Sequence, residues 1–347
     1  MAVTRNRDVG TDVARAALIV MMVLFHSFGQ AQLATSLDIN QATNINRWMG
    51  LVSGSFPFLS GFLVSFRYFR VLQPTNKEIQ GLISRGGKLL GLYLAINLSL
   101  IVFAWLFDEV PILVADPPSF TKLITAEHES MSYELLFPLG VIVLVGAGLL
   151  ISRRYYRNDN FLRAALAAEA VFLAWSEELI LVYVACGLAG LLLGAEFARP
   201  QVAAFLKRHW GAGLLALIPG VVLAVLEHSG PDFGLLYLLA VSGLFFAYHN
   251  LGRFSLFAKD GRVSRITMLL ARGSLVIYIV HIPQLQVLGK ITAPIFTESQ
   301  LWLAFSSYVV VVLVSMCVML MLMERYRPAV DQFLANWKLN PFRQPIG

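Results

Sequence analysis

Long apolar blocks alternate with short polar, mostly basic segments along the whole chain. A helix needs about 20 mainly apolar residues to cross a bilayer core of about 30 Å. On that scale the pattern predicts about ten spans, at roughly 13–31, 48–69, 87–107, 133–152, 161–176, 179–197, 210–227, 233–250, 273–290 and 300–323. The fifth and sixth nearly fuse around Trp175, Ser176, Glu177 and Glu178, which predicts a tight helical hairpin. Composition agrees: 57% of the 347 residues are hydrophobic, 14% are charged, and the mean hydropathy is +0.69. A soluble domain carries about a quarter charged residues. A disordered chain, a disulfide scaffold, a nucleic-acid binder and an ordinary soluble enzyme are therefore excluded. The expected fold is all-α: a polytopic integral membrane bundle, with residues 1–347 forming a single membrane domain.

The net charge of +6 matters less than where the charges fall. With the N-terminus placed in the cytoplasm and the spans alternating, all but Arg47, Lys122 and Lys290 of the 27 Lys and Arg residues flank the cytoplasmic side. Such segregation is what the positive-inside rule asks of a correct span map, and it predicts both termini cytoplasmic. Asp108, Glu109, Asp116, Glu127, Glu129, Glu177, Glu178, Glu227 and Asp232 fall on outer segments. Arg5 and Arg7 precede the apolar run from Val13 to Phe28, as in a signal peptide. Asp8, Asp12 and Arg15 crowd that run, so it reads as a retained first helix. Cys186 and Cys317 both lie in apolar runs and give no disulfide argument.

Ionisable groups inside spans are functional hypotheses by default. The first span holds Asp12 and Arg15, then ten residues, then His26. A spacing of 11 closes on about three helical turns, so Arg15 and His26 share one face about 16 Å apart along the axis. Two readings stay open: a functional stripe, or interfacial anchors with a histidine at an outer helix end. The second span contains Gly54-Ser55-Phe56-Pro57-Phe58-Leu59-Ser60-Gly61-Phe62-Leu63. Its small residues predict close helix packing, and Pro57 frees backbone groups that must be satisfied inside the protein. The ninth span carries Gly273-Ser274-Leu275, Tyr278, His281 and Pro283, with Tyr278 and His281 on one face. A buried structural histidine and a catalytic one both fit that position.

Asp-x-x-Arg followed by ten residues and His resembles the membrane acyltransferase-3 family of O-antigen and exopolysaccharide acetylases and glucan succinyltransferases. Phe56–Leu63 is similar to that family's Phe-Phe-x-Leu-Ser-Gly-Phe-Leu signature. Ser274-Leu275, Tyr278, His281 and Pro283 are similar to its late motif. The departures are Ala16 after the motif arginine, Pro57 for the second Phe, the reduced Arg85-Gly86-Gly87-Lys88, and Ser132-Tyr133-Glu134 as the nearest match to a Trp-Ser-x-x-x-Glu motif. The resemblance implies transfer of an acyl group, acetyl first, from cytoplasmic acyl-CoA to a hydroxyl of an exported glycan or lipid-linked sugar. It implies a bacterial cytoplasmic membrane protein, allows a homodimer, and involves no metal and no permanently bound cofactor.

On this reading His26, Arg15 and Asp12 form the catalytic stripe, with His26 as general base and Asp12 orienting Arg15. Arg15, Arg67, Arg70, Arg85 and Lys88 receive the phosphates of acyl-CoA, guanidinium groups being well matched to phosphate. Ordinary positive-inside topology is the competing account of Arg67, Arg70, Arg85 and Lys88. Ser60, Glu134, Tyr278 and His281 line the tunnel or face the acceptor. The alternative function is a proton-coupled secondary transporter or flippase with His26 and His281 as relay groups, although no inverted repeat is visible.

Overall fold

The computed structural model of the protein describes residues 8–35, 43–69, 74–107, 134–155, 159–176, 178–199, 234–257, 261–292 and 294–336, with isolated positions between 201 and 222. The expected seventh span and the outer loop 108–132 fall largely outside the described residues, as does Arg70. The described residues form ten α-helices: α1 Val9–Ala34, α2 Thr43–Tyr68, α3 Asn76–Phe107, α4 Leu136–Tyr155, α5 Asp159–Ala174, α6 Leu179–Phe197, α7 Gly234–Leu251, α8 Arg262–Arg272, α9 Ser274–Thr292 and α10 Leu301–Asn336. Two short 3₁₀ turns, Ser255–Phe257 and Glu298–Gln300, complete them. No strand occurs among the described residues.

Among the described residues six helices are long and apolar enough to cross a membrane: α1, α3, α4, α6, α9 and α10. Of the other four expected spans, 210–227 lies largely outside the described residues, and the remaining three differ for physical reasons. Helix α2 has 26 residues, but Asn44, Asn46, Arg47, Ser53, Ser55, Ser60, Ser65 and Arg67 dilute its apolar character. It packs against α1, α4, α6 and α7, so much of its surface meets protein. Its serines are satisfied locally: the Ser55 hydroxyl donates to the Leu51 carbonyl at 2.7 Å, and that of Ser65 to Leu191 on α6 at 2.6 Å. Helix α5 has only 16 residues, and α7 is apolar but short. Helix α8 falls where the hydropathy pattern showed a basic connection. It is an 11-residue amphipathic helix that buries Ser264, Thr267, Leu270 and Ala271 and stops at Gly273, where α9 follows at once. Helices α3 and α10 begin earlier and end later, respectively, than their expected spans, because both continue beyond the apolar stretch.

Contacts fix the helix directions. Helices α1 and α9 run parallel: Arg15 meets Ala271, His26 meets His281, and Gln30 packs on Gly289. Helices α2 and α6 are parallel and very close. A Cβ on Gly190 would strike the Phe58 carbonyl, one on Gly194 the Phe62 carbonyl, and one on Gly61 the Gly187 carbonyl. Small residues that let backbones touch are the usual device where lipid offers no hydrophobic gain for association. Helix α4 runs with α6 through Ile142–Gly187 and Gly146–Leu191, and α7 runs with α2 through Tyr237–Gly54 and Phe245–Phe62. Helix α3 opposes α4, with Gly86 on Leu144 and Leu90 on Gly140, and α10 opposes α9. The tight hairpin between α5 and α6 forms as the sequence indicates, Ala174 to Leu179, and Arg163 pairs with Glu196 at its open end.

Candidate functional site

Parallel packing of α1 and α9 brings two histidines together from opposite ends of the sequence. The rings of His26 and His281 lie 5.1 Å apart between centroids, tilted by 55°. His281 is fully buried, and its Nδ1 lies 2.9 Å from the Ile277 carbonyl one turn earlier. A carbonyl only accepts, so Nδ1 carries the hydrogen, and in the neutral ring Nε2 keeps its lone pair. That Nε2 is buried with no hydrogen-bond partner among the described residues, and so is the Ser27 hydroxyl next to His26. No third His, Cys, Asp or Glu joins the pair into a metal-ligand group among the described residues. Tyr278 lies 6.2 Å from His281 and 6.5 Å from Phe56 of α2, ring to ring.

Tyr278 also lines a cavity of about 520 Å³ enclosed by α1, α2, α3, α4 and α9. That volume is in the range of small-molecule sites, about 300–1,000 Å³. Arg15, Arg67, Arg85 and Lys88 line it together with Ser60, Ser274, Tyr278 and Leu135. From Phe56 to Arg67 the cavity follows about three turns of α2, roughly 16 Å. No carboxylate is among its described lining residues. Its walls are otherwise apolar, with Leu59, Leu63, Leu89, Leu92 and Leu139. Arg15 is held from two sides: it donates to the Ala271 carbonyl at 3.2 Å, and the charge of Asp12 acts on it from one turn before. The cations of the cavity thus come from α1, α2 and α3, with Arg15 anchored at the junction of α8 with α9.

The cavity collects Arg15, Ser60, Arg67, Arg85, Lys88 and Tyr278 of the residues expected from sequence. His26 and His281 are absent from its lining and form the pair just beyond Tyr278. Glu134 is not a lining residue; its neighbour Leu135 is, and the Glu134 carbonyl accepts the Phe137 N–H at the start of α4. Arg70 lies outside the described residues. Sequence reasoning placed His26 and His281 on one route but did not show that their rings meet. It also missed Phe56 as the aromatic partner of Tyr278, and the Ala271 carbonyl as the anchor of Arg15. A helical stripe shows which residues share a face but not which distant helix covers it.

Residues 7–115 match the family model of the heparan-alpha-glucosaminide N-acetyltransferase catalytic domain. The match covers the amino-terminal third of the chain and contains α1, α2 and α3, with Arg15, His26, Ser60, Arg67, Arg85 and Lys88. This is a different family from acyltransferase-3 and overturns that resemblance: three short motifs of common membrane residues carried it, whereas the match is continuous over the first three helices. No curated protein matches the chain significantly. The similarity is to the catalytic part of an acetyltransferase, and it lies on the segment that supplies the cations and one of the two histidines.

Proposed function

We propose that the protein is a membrane acetyltransferase. It takes an acetyl group from acetyl-CoA at the basic end of the bundle and passes it to an amino sugar reached from the opposite side. The observation that carries this reading is an apolar cavity lined by four cations and by Tyr278, whose ring lies 6.2 Å from that of His281 in the histidine pair. Arg15, Arg67, Arg85 and Lys88 meet the phosphates of coenzyme A, and the pantetheine arm follows the leucine walls toward Tyr278. The thioester then stops beside His26 and His281. His26 takes a proton from the acceptor nitrogen as that nitrogen bonds to the acetyl carbonyl carbon. The C–S bond breaks, and the thiolate leaves with coenzyme A.

Two imidazole acceptors suit an amine better than a hydroxyl. A free amine offers two N–H bonds, one to His26 and one to the Nε2 of His281, while a hydroxyl offers one O–H. The N-acetyl chemistry in the name of the matched family points the same way. The transporter alternative has no comparable support. The helix directions also support ten crossings with both termini on the basic, cytoplasmic side. Helices α6 and α7 run the same way, as an expected seventh span at 210–227 between them requires.

The test is acetyl transfer in proteoliposomes with labelled acetyl-CoA, offering glucosamine or glucose as acceptor. Wild type should acetylate glucosamine, and His26→Ala and His281→Ala should each lose about 10²–10⁴-fold in rate while keeping their elution profile. Wild-type rates in both variants would sink the histidine mechanism. Equal acetylation of glucose would turn the reading to a hydroxyl acceptor.

A further inference from the structure

A second cavity, of about 300 Å³, lies at the basic ends of α4, α5 and α6, beside Phe69 at the end of α2. None of its residues lines the cavity described above. Arg153, Arg163 and Arg199 stand around it, over a floor that includes Leu149, Leu162, Leu166, Leu191 and Leu192. Glu196 ties two of the guanidinium groups together, at 3.1 Å to Arg163 and 3.2 Å to Arg199. Arg153 donates to the Phe69 carbonyl at 3.3 Å and lies over the Phe69 ring. Three guanidinium groups therefore stand around one cavity, two of them paired with Glu196.

The order of residues with depth identifies what fits. On α4, which ends on this side, Leu149 lies one turn deeper than Arg153. On α6, which also ends here, Leu191 and Leu192 lie about two turns deeper than Arg199. On α5, which starts here, the order is reversed: Leu162 and Arg163 stand side by side, and Leu166 lies just under one turn deeper. On α4 and α6 arginine thus stands at the membrane surface with leucine one to two turns farther in, and α5 adds an arginine at the surface and a leucine beneath it. Helix α5 is a rim helix: Val171, Phe172 and residues 164, 165, 167 and 168 on its surface are exposed. The cavity is one helix away from the lipid.

We infer that this cavity binds an anionic phospholipid, its phosphate on Arg153, Arg163 and Arg199 and an acyl chain on the leucine floor. Arginine forks match phosphate oxygens, and basic pockets between membrane helices on the cytoplasmic side are suited to anionic headgroups. A water-soluble phosphate would use the arginines but not the leucines, so the apolar floor favours the lipid. The inference rests on the bundle being embedded in a membrane and not on acetyl transfer.

Purified protein in detergent is titrated with phosphatidylglycerol, phosphatidylcholine or glycerol 3-phosphate, and thermal midpoint and lipid retention in native mass spectra are followed. Phosphatidylglycerol should raise the midpoint and be retained; the other two should give less than half that shift. Arg199→Gln, at a half-exposed side chain, should weaken phosphatidylglycerol retention about fivefold, the contribution of one arginine near a lipid surface. Ala195→Phe, which fills the cavity and leaves every arginine in place, should abolish the selective retention. Equal effects of the two lipids, or unchanged selective retention in both variants, overturns the proposal. An equal effect of glycerol 3-phosphate overturns the lipid assignment in favour of a soluble phosphate. Failure of either variant to fold leaves the wild-type lipid comparison and the other variant to decide.

Discussion

At the scale of single residues, Arg15 carries two contacts that separate its electrostatic from its structural duty. Its guanidinium lines the cavity and donates to the Ala271 carbonyl, so a lysine keeps the charge but not the fork. Arg15→Gln should raise KM for acetyl-CoA by about tenfold or more, since a hydrogen bond to a charged group contributes about 1.5–3 kcal/mol. Arg15→Lys should recover part of that loss. An unchanged KM in both, measured in the same proteoliposome assay, would remove Arg15 from the donor site. Asp8 offers a pH-dependent test at the same end of the bundle. Burial pushes its carboxyl up, but His249 at 3.1 Å, the Thr11 hydroxyl and the Gly10 N–H together hold it below the usual carboxylate range. A lowered value stabilises the native state above the unfolded carboxyl's pKa of about 3.9, and that contribution is lost as pH falls through the native value. Asp8→Asn should therefore melt below wild type at pH 7, and the gap should close below about pH 4. A gap that stays constant with pH would show that the ion pair contributes nothing. The Asp12, Arg15 and His26 stripe was legible in the sequence because one helix carries it. The pairing of His26 with His281 was not, because 254 residues separate them and hydropathy says nothing of which helices adjoin.

Helices are specified unevenly by their own residues. Helix α6 is apolar on every face and was readable to its ends, Leu179 and Phe197. Helix α2 was expected as a span, 48–69, from its run of mainly apolar residues, yet its polar content keeps it below the apolarity of its neighbours. A helix surrounded by helices needs shape more than greasiness, and α2 meets α6 through glycine and serine. Gly190→Leu should disrupt that contact: its Cβ falls on the Phe58 carbonyl, a backbone atom that cannot turn aside. Overpacking of this kind costs about 1–3 kcal/mol or more, seen as a lower melting temperature in detergent. Gly148→Leu, where a Cβ meets nothing within 4 Å, is the matched control and should change little. Helix α8 was unreadable as an element on the membrane scale, because a search for 20 apolar residues passes over an 11-residue amphipathic helix. It nevertheless supplies the carbonyl that holds Arg15.

Across the whole molecule, helix direction and charge tell one story. Arg153, Arg199 and His249 stand near the ends of α4, α6 and α7; Arg15 and Arg163 near the starts of α1 and α5. Given the directions set by the contacts, these groups come to one end of the bundle, the end where Arg15 and Arg67 line the larger cavity. On the readings proposed above, the same end would hold the phosphates of acetyl-CoA and the headgroup of the lipid, while the histidine pair lies several turns deeper. This arrangement makes a topological prediction independent of any chemistry. With Cys186 and Cys317 replaced by alanine, a cysteine at Glu178, between α5 and α6, should react with a membrane-impermeant maleimide from outside intact cells. A cysteine at Arg253, after α7, should react only after the membrane is opened. Helices α6 and α7 leave Glu178 and Arg253 at opposite ends, so labelling of both from outside would break the ten-crossing topology and the route from donor to acceptor that depends on it.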